Sequence, residues 1–222
     1  MARYEDKKKA ISLRKKGYSY NKIKEELGVG KSTLSSWLKD YPLSKDRIKE
    51  LTSKSSQRIE KYINTMNKKR EDRFSDIFNV IKSDIGNISE RELFVAGFFI
   101  YWAEGGKTNP NAATFTNTDF NLIQVYIKWL DLLKIEKRNI RVKLHLYKDM
   151  DINKEISFWS RKLQVKKDNF LKPYIKNSNI SDISYISNFK HGTCNVILYD
   201  TKLISYILMG IKFIGNVLKV DN

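Results

Sequence analysis

The first 40 residues place apolar side chains at helical spacing in three short segments. We predict helices over residues 7–16, 20–27 and 31–38. Gly17 follows the first segment as a helix-ending glycine, and Ser19 can cap the second. In the third helix, Leu34, Trp37 and Leu38 are expected inward, and the outward or flanking residues are Lys31, Ser32, Thr33, Ser35, Ser36 and Lys39. Two short helices joined by a glycine-bearing turn are typical of a helix-turn-helix, whose second helix fits a DNA major groove.

A second helical pattern runs through residues 44–87. Its apolar positions recur three, four, seven or eight residues apart, at Ile48, Leu51, Ile59, Tyr62, Met66, Phe74, Ile77 and Ile81. The spacing predicts a helical linker, either one long helix or a broken helix pair. The stripe fits two roles, a seam between two subunits or a surface that packs on the following domain.

The remainder of the chain alternates between helical and strand patterns. Helices are predicted over residues 90–104, 120–133, 151–163 and 201–218, and strands over 112–118, 140–147, 172–176 and 193–199. This order favours an α+β domain with one mixed sheet and helices on one of its faces. We therefore predict three regions: a helix-turn-helix at 1–43, a helical linker at 44–87 and an α+β domain at 88–222.

The strand at 140–147 alternates strictly between apolar and polar side chains. The free face of the sheet is expected to carry Arg141, Lys143, His145 and Tyr147, joined by Thr114, Thr116, Lys172, Tyr174 and Lys176. These cationic and hydroxyl side chains can bind phosphate and base edges, which favours contact with a nucleic acid. The alternative is an ordinary solvated face of a sheet.

Net charge strengthens the nucleic-acid hypothesis. The chain of 222 residues has a formal charge of +17 and a pI near 9.7, which favours a polyanionic partner. Residues 1–73 contain 21 of the 42 Lys and Arg but only 10 of the 25 Asp and Glu. With 41% hydrophobic residues, the chain has enough apolar material to fold, so a wholly disordered basic protein is excluded.

The sequence lacks the residues that several kinds of chemical site require. One cysteine and two histidines cannot form a disulfide or a structural zinc site, and the sequence contains no phosphate-binding glycine loop. His191 and Cys194 are not expected to act as a nucleophile pair, because residues so placed on one strand point to mismatched faces and no orienting acid is evident in the sequence. Cys194 is expected to be a buried thiol. No apolar run reaches the roughly 20 residues of a membrane span. We expect a cytoplasmic, nucleoid-associated protein without a membrane partner.

Two resemblances sharpen these expectations. Residues 10–40, AISLRKKGYSYNKIKEELGVGKSTLSSWLKD, resemble the helix-turn-helix of resolvases, transposases and related regulators, although a three-helix protein-interaction module shares the pattern. Residues 97–106, GFFIYWAEGG, resemble the signature helix of LAGLIDADG homing endonucleases, and the likeness extends approximately over residues 90–218. In that family, signature helices pack in pairs, each ends in a metal-binding acid, and the sheets read DNA.

The second resemblance implies a catalytic, metal-binding role for Glu104, with Lys107 as a nearby cation. One signature helix supplies one acid, so a complete Mg²⁺ site would need a homodimer. A helix-turn-helix joined to such a domain also resembles regulators of the WhiA type, in which cleavage is not expected. Two hypotheses follow: a sequence-specific protein that binds double-stranded DNA, and alternatively a Mg²⁺-dependent, site-specific DNA endonuclease.

Overall fold

The computed structural model describes residues 2–180 and 190–218 and confirms the predicted α+β class. The described residues form nine α-helices and a four-stranded mixed sheet. The chain divides into two compact units, residues 1–87 and residues 88–222. The predicted linker at 44–87 thus belongs to the N-terminal unit.

The N-terminal unit is entirely helical in its described residues. Its helices are α1 (Ala2–Lys15), α2 (Tyr20–Leu27), α3 (Lys31–Leu38), α4 (Lys45–Glu50) and α5 (Lys54–Ile85). Ser19 caps α2 by accepting a hydrogen bond from the Lys22 N–H, and Gly17 adopts a φ of +85° after α1. Helix α1 begins five residues before the predicted start at Lys7, because helix-forming residues extend the segment beyond its apolar positions.

The first three helices share a small core. Its fully buried members are Ala10, Tyr20, Ile23, Leu34 and Leu38. Trp37, expected inward, is only partly buried at the edge of this cluster, as are Ile59 and Ile63 of α5. The start of α5 therefore packs on the helix-turn-helix, whereas its later turns are exposed.

The C-terminal unit alternates helices and strands. Its elements are α6 (Glu90–Glu104), β1 (Ala113–Asn117), α7 (Phe120–Leu132), β2 (Arg141–Tyr147), α8 (Ile152–Leu163), β3 (Tyr174–Lys176), β4 (Thr193–Leu198) and α9 (Thr201–Val217). Two short 3₁₀ turns lie at Lys137–Asn139 and Lys167–Asn169. The predicted strand at 172–176 is too long, since β3 begins at Tyr174 and leaves Lys172 in an exposed loop. Pro173 has no N–H to donate to a strand ladder, which explains the later start.

The strands lie in the order β1-β4-β2-β3. Strand β4 pairs antiparallel with both β1 and β2, whereas β3 pairs parallel with β2. The inward side chains of β2 and β4, including Leu144, Cys194 and Val196, join a core formed with α6, α7, α8 and α9. The opposite face of the sheet carries the other alternating set of side chains, as predicted.

Helices α6 and α7 approach closely at Gly97. A side chain there would collide with the indole ring of Trp129, which lies directly over the glycine. The Trp129 Nε1–H donates a hydrogen bond of 2.9 Å to the Phe94 carbonyl and fixes this contact. Gly97 is thus used for packing within the C-terminal unit, so the helix that contains the signature residues is anchored to α7.

None of the helices in residues 2–180 and 190–218 is both long and apolar enough to cross a membrane.

Candidate nucleic-acid interface

Helix α3 presents a continuous polar surface on the N-terminal unit. Leu34 and Leu38 are fully buried and hold the helix on α1 and α2. The predicted outward set divides into exposed and half-buried members: Lys31, Ser32, Ser36 and Lys39 are exposed, and Thr33 and Ser35 are half-buried. The run from Lys31 to Lys39 contains no acidic residue, so the polar side chains of this surface are all hydroxyl or ammonium groups.

The turn before α3 leaves its first N–H groups unmatched by a capping side chain. Gly30 is the N-cap residue, and it makes no side-chain hydrogen bond to the helix. Gly28, at φ +64°, reverses the chain after α2 with a backbone conformation that other residues rarely adopt. The exposed end of α3 therefore combines N–H donors, the positive end of the helix dipole and the Lys31 side chain.

The outward side chains of the sheet are aligned in rows across its strands. The register places Thr114, Ile197 and Arg141 in one row, and Thr116, Asn195 and Lys143 in the next. A third row contains Thr193, His145 and Tyr174, and Tyr147 pairs with Lys176 at the end of the sheet. We call these eleven residues the sheet face. It contains Arg141, Lys143, Lys176 and His145 but no aspartate or glutamate.

Strand β4 contributes a central part of this surface that the sequence prediction missed. Thr193, Asn195 and Ile197 lie between the predicted residues of β1 and those of β2. The Asn195 Oδ1 is buried and has no hydrogen-bond partner among the described residues. The signal was present in the sequence, because residues that alternate with inward Cys194, Val196 and Leu198 must point to the other face.

Two predicted contact residues are partly engaged within the protein. The Arg141 Nη1 donates hydrogen bonds of 2.7 Å to the Arg138 carbonyl and 3.1 Å to the Ile140 carbonyl. Tyr147, expected to be accessible on the free face, is instead buried. The Lys176 ammonium lies 4.5 Å from the centre of the Tyr147 ring and covers it. The Lys176 Nζ also donates to the Tyr147 hydroxyl at 3.3 Å, and the half-buried Lys176 is the more accessible group of this pair.

His145 lies at the centre of a cationic environment. Partial burial lowers the pKa of His145 below its ordinary value, and the positive charges of Lys143 and Lys176 lower it further. The His145 ring contacts the Tyr174 ring edge-on at a centroid distance of 5.5 Å. A phosphate near this row would oppose both effects, since a negative charge favours the protonated imidazole.

Glu104, the predicted metal-binding acid, lies exposed at the end of α6. The next two residues connect this end of the helix to β1: Gly105 forms an isolated bridge with Phe115, and the Gly106 N–H donates to the Thr114 carbonyl at 2.8 Å. The Tyr101 hydroxyl donates to the Gly106 carbonyl and fixes the same turn. Lys107 donates from Nζ to the Gly105 carbonyl at 3.1 Å. Glu104 and Lys107 therefore flank a turn at the edge of the sheet, beside Thr114 of the sheet face.

Among the described residues, no group of three or more His, Cys, Asp or Glu side chains is arranged to hold a metal ion. The endonuclease hypothesis assigns one carboxylate to each of two subunits, so a single chain is expected to display Glu104 alone. His191 and Cys194 do not form a reactive pair. The His191 Nδ1 lies 2.8 Å from the Glu155 Oε2, and Cys194 is fully buried, which raises the pKa of its thiol.

No known protein family matches the sequence, no curated protein matches it, and no solved structure matches its fold.

Proposed function

We propose that this protein binds double-stranded DNA at specific sequences, with α3 in a major groove and the sheet face on a second stretch of the duplex. The proposal concerns each surface by itself and requires no particular arrangement of the two units. DNA binding agrees with the formal charge of +17 of the chain. Half of the Lys and Arg residues of the chain lie within residues 1–73.

The observation that carries the proposal is the composition of the sheet face. Its rows bring Lys143, Asn195 and Thr116 side by side from three strands, and no acidic side chain interrupts the eleven residues. An ordinary solvated face of a sheet mixes both signs of charge, because opposite charges across strands stabilise it. A face with one sign only is suited to a polyanion, whose phosphates supply the missing negative charge.

The side chains of the two surfaces suit different kinds of contact with DNA. Lysine and arginine contacts to phosphates position the protein and give affinity, whereas contacts to base edges give specificity. Ser32 and Ser36 on α3 are short donors that reach base edges only when the helix lies deep in a groove. On the sheet face the Asn195 Oδ1 is buried, so the contacts of that surface fall to its cationic side chains.

The experiment is selection of bound duplexes from a random library by the full chain, followed by affinity measurement over a range of salt concentrations. We expect one sequence to be enriched. For that sequence, the logarithm of the affinity should fall against the logarithm of the salt concentration with a slope of several units. Single-stranded DNA and double-stranded RNA of the same sequence serve as competitors and should displace the duplex only weakly. Equal binding of all duplexes, or preferential binding of RNA, would contradict sequence-specific recognition of DNA.

A second candidate function is cleavage of the bound DNA, favoured by the position of Glu104. The turn at Gly105 and Gly106 joins this acid to β1 next to Thr114, so a carboxylate lies at the border of the sheet face. Mg²⁺ is commonly held by one or two carboxylates together with substrate phosphates. The residues of one chain fit such an ion only as half of a shared site, with Glu104 of a second subunit completing it. Addition of Mg²⁺ or Mn²⁺ to the selected complex tests this proposal.

A further inference from the structure

Helix α5 exposes an apolar stripe on one face between Tyr62 and Ile85, interrupted at residues 67–73, which include no apolar side chain. Apart from Ile63, which packs on the helix-turn-helix, its large apolar side chains from residue 62 onward are each at least 45% exposed: Tyr62, Met66, Phe74, Ile77, Phe78, Val80, Ile81 and Ile85. At 100° per residue, all eight fall within an arc of roughly 160° on the helix. The part of the stripe from Phe74 to Ile85 forms a contiguous apolar surface, which marks an interaction site in a protein that is otherwise highly charged.

The repeat of the stripe favours another helix as the partner. Met66, Arg70, Phe74, Ile77, Ile81 and Ile85 are spaced by four, four, three, four and four residues, a spacing of 11 residues between Met66 and Ile77. A helix with an 11-residue repeat keeps one straight or slightly right-handed seam along its length. The spacing therefore matches a paired helix better than the irregular surface of a globular domain.

Arg70 determines the direction of that pairing. It is exposed at the centre of the stripe, where an in-register parallel pair would place it against the same arginine of the second chain. Like charges facing each other in a seam are destabilising. An antiparallel pair that sets Met66 against Ile85 of the second chain instead sets Arg70 beside Ile81, within one turn of Asp84.

The charges along α5 agree with the antiparallel direction. Residues 61–70 carry Lys61, Lys68, Lys69 and Arg70 and no acid. Residues 71–85 carry four acids, Glu71, Asp72, Asp76 and Asp84, against Arg73 and Lys82. With Met66 against Ile85, the antiparallel pair places Asp84 of the second copy opposite Asn67, within one turn of Lys68, Lys69 and Arg70, whereas an in-register parallel pair places these three cations against themselves.

We propose that the exposed stripe of α5 binds a second copy of this chain, in an antiparallel helix pair centred between Phe74 and Ile77. This association goes beyond the proposed DNA binding and does not depend on it. One consequence does rest on the proposed function: the Lys54 ends of the two helices would lie roughly 65 Å apart. That separation is close to two turns of the DNA helix, so it favours half-sites about two turns apart.

Sedimentation of the full chain over a concentration series, without DNA, tests the association. We expect a dimer that Ile77→Glu weakens at least tenfold, since a charge at the centre of the seam has no partner. Asn79→Glu, on the opposite side of the same helix, is the matched control and should leave the dimer unchanged. A monomer at all concentrations, or a dimer indifferent to Ile77→Glu, overturns the proposal.

Cysteine cross-linking tests the direction. Met66→Cys chains mixed with Ile85→Cys chains should form a disulfide-linked heterodimer under mild oxidation, and the native Cys194 does not interfere because it is buried. Met66→Cys chains alone should remain uncross-linked, and efficient cross-linking of that variant with itself indicates parallel pairing and overturns the antiparallel arrangement. In a second readout, Arg70→Asp should weaken the dimer and Asp84→Arg should restore it in the double variant. Because these measurements contain no DNA, their failure is distinguishable from a failure of DNA binding.

Discussion

Arg14 and Glu60 form a bidentate ion pair inside the N-terminal unit, with Nη1–Oε1 and Nη2–Oε2 distances of 2.8 and 2.7 Å. Both side chains are almost completely buried. The Tyr20 N–H also donates to Glu60 at 2.9 Å, and the Arg14 Nε donates to the Tyr41 carbonyl at 2.8 Å. This network joins α1, the start of α2 and α5, and it fixes the long helix to the helix-turn-helix.

We predict that Glu60→Gln destabilises the N-terminal unit by about 3–5 kcal/mol, because it leaves the Arg14 charge buried without its counter-ion. Urea unfolding followed by circular dichroism measures the change. Glu50→Gln is the matched control, since Glu50 forms an ion pair of 2.8 Å with Arg47 on the exposed surface. That variant should lose no more than about 1 kcal/mol. Similar losses of stability in the two variants would contradict a larger contribution from the buried Arg14–Glu60 pair than from an exposed pair.

We predict that Lys143→Ala with Lys176→Ala reduces the slope of log affinity for DNA against log salt concentration by about two units, one for each lost phosphate contact. Both lysines belong to the sheet face, and neither is part of the core. Lys128→Ala with Lys212→Ala removes the same charge from exposed positions on α7 and α9 and is the control. An equal effect of the two double variants would mean that only total charge matters.

Substitution on α3 is expected to act differently. Ser32→Ala with Ser36→Ala removes short hydroxyl donors and leaves the charge of the helix unchanged. We expect weaker binding to the selected sequence, by about 1–3 kcal/mol for each lost base contact, with non-specific binding preserved. Competition with random duplex measures this difference. Unchanged discrimination would assign the base contacts to other residues.

Acidification is predicted to strengthen DNA binding and weaken folding through the same residue, His145. Its folded pKa is lowered, so the unfolded chain binds the proton more readily, and stability declines as pH falls from about 6.5 through the folded pKa. Bound phosphate favours the protonated ring, so binding takes up a proton and tightens in that range. NMR titration of the two histidines and affinity measurements at constant ionic strength test both effects. His145→Gln should flatten them, and a pH dependence that survives this substitution contradicts the assignment.

Cys194 is predicted to be inert in the folded protein. Its thiol is fully buried and its pKa is raised by burial, so little thiolate exists to react. A thiol reagent should modify the native chain only as fast as the C-terminal unit opens, and should react stoichiometrically in urea. This labelling also reports unfolding of residues 88–222 separately from the Glu60→Gln experiment. Rapid modification without denaturant would contradict the buried position.

If the bound DNA is cleaved in the presence of Mg²⁺, Glu104→Gln should abolish cutting and leave affinity within about twofold, because the side chain is exposed and stabilises no other residue through a described contact. Glu136→Gln, an exposed acid beyond α7, is the control for a general loss of negative charge. Cleavage that persists in the Glu104 variant removes this residue from the reaction.

Local pattern was sufficient to predict most elements of the fold. Helices α2 and α3 have the predicted bounds, because Ser19, Gly28 and Gly30 mark their ends within the sequence itself. Strand β2 was recognisable from its strict alternation, which also assigned Arg141, Lys143 and His145 to one face. The site was only partly predictable, since Tyr147 is covered by Lys176 through a pairing between β2 and β3 that is distant in sequence.

The sequence by itself determined which residues share one face of a helix or strand, because helical and strand periodicities are local properties of the chain. Only the tertiary structure decided which outward residues become neighbours. It inserted β4 between β1 and β2, and thereby placed Asn195 at the centre of the sheet face. It also buried Glu60 against Arg14, 46 residues away, while leaving the apolar stripe of the same helix exposed. The physical reason is that strand order and the packing of helices depend on the fit of whole surfaces, which no local spacing encodes.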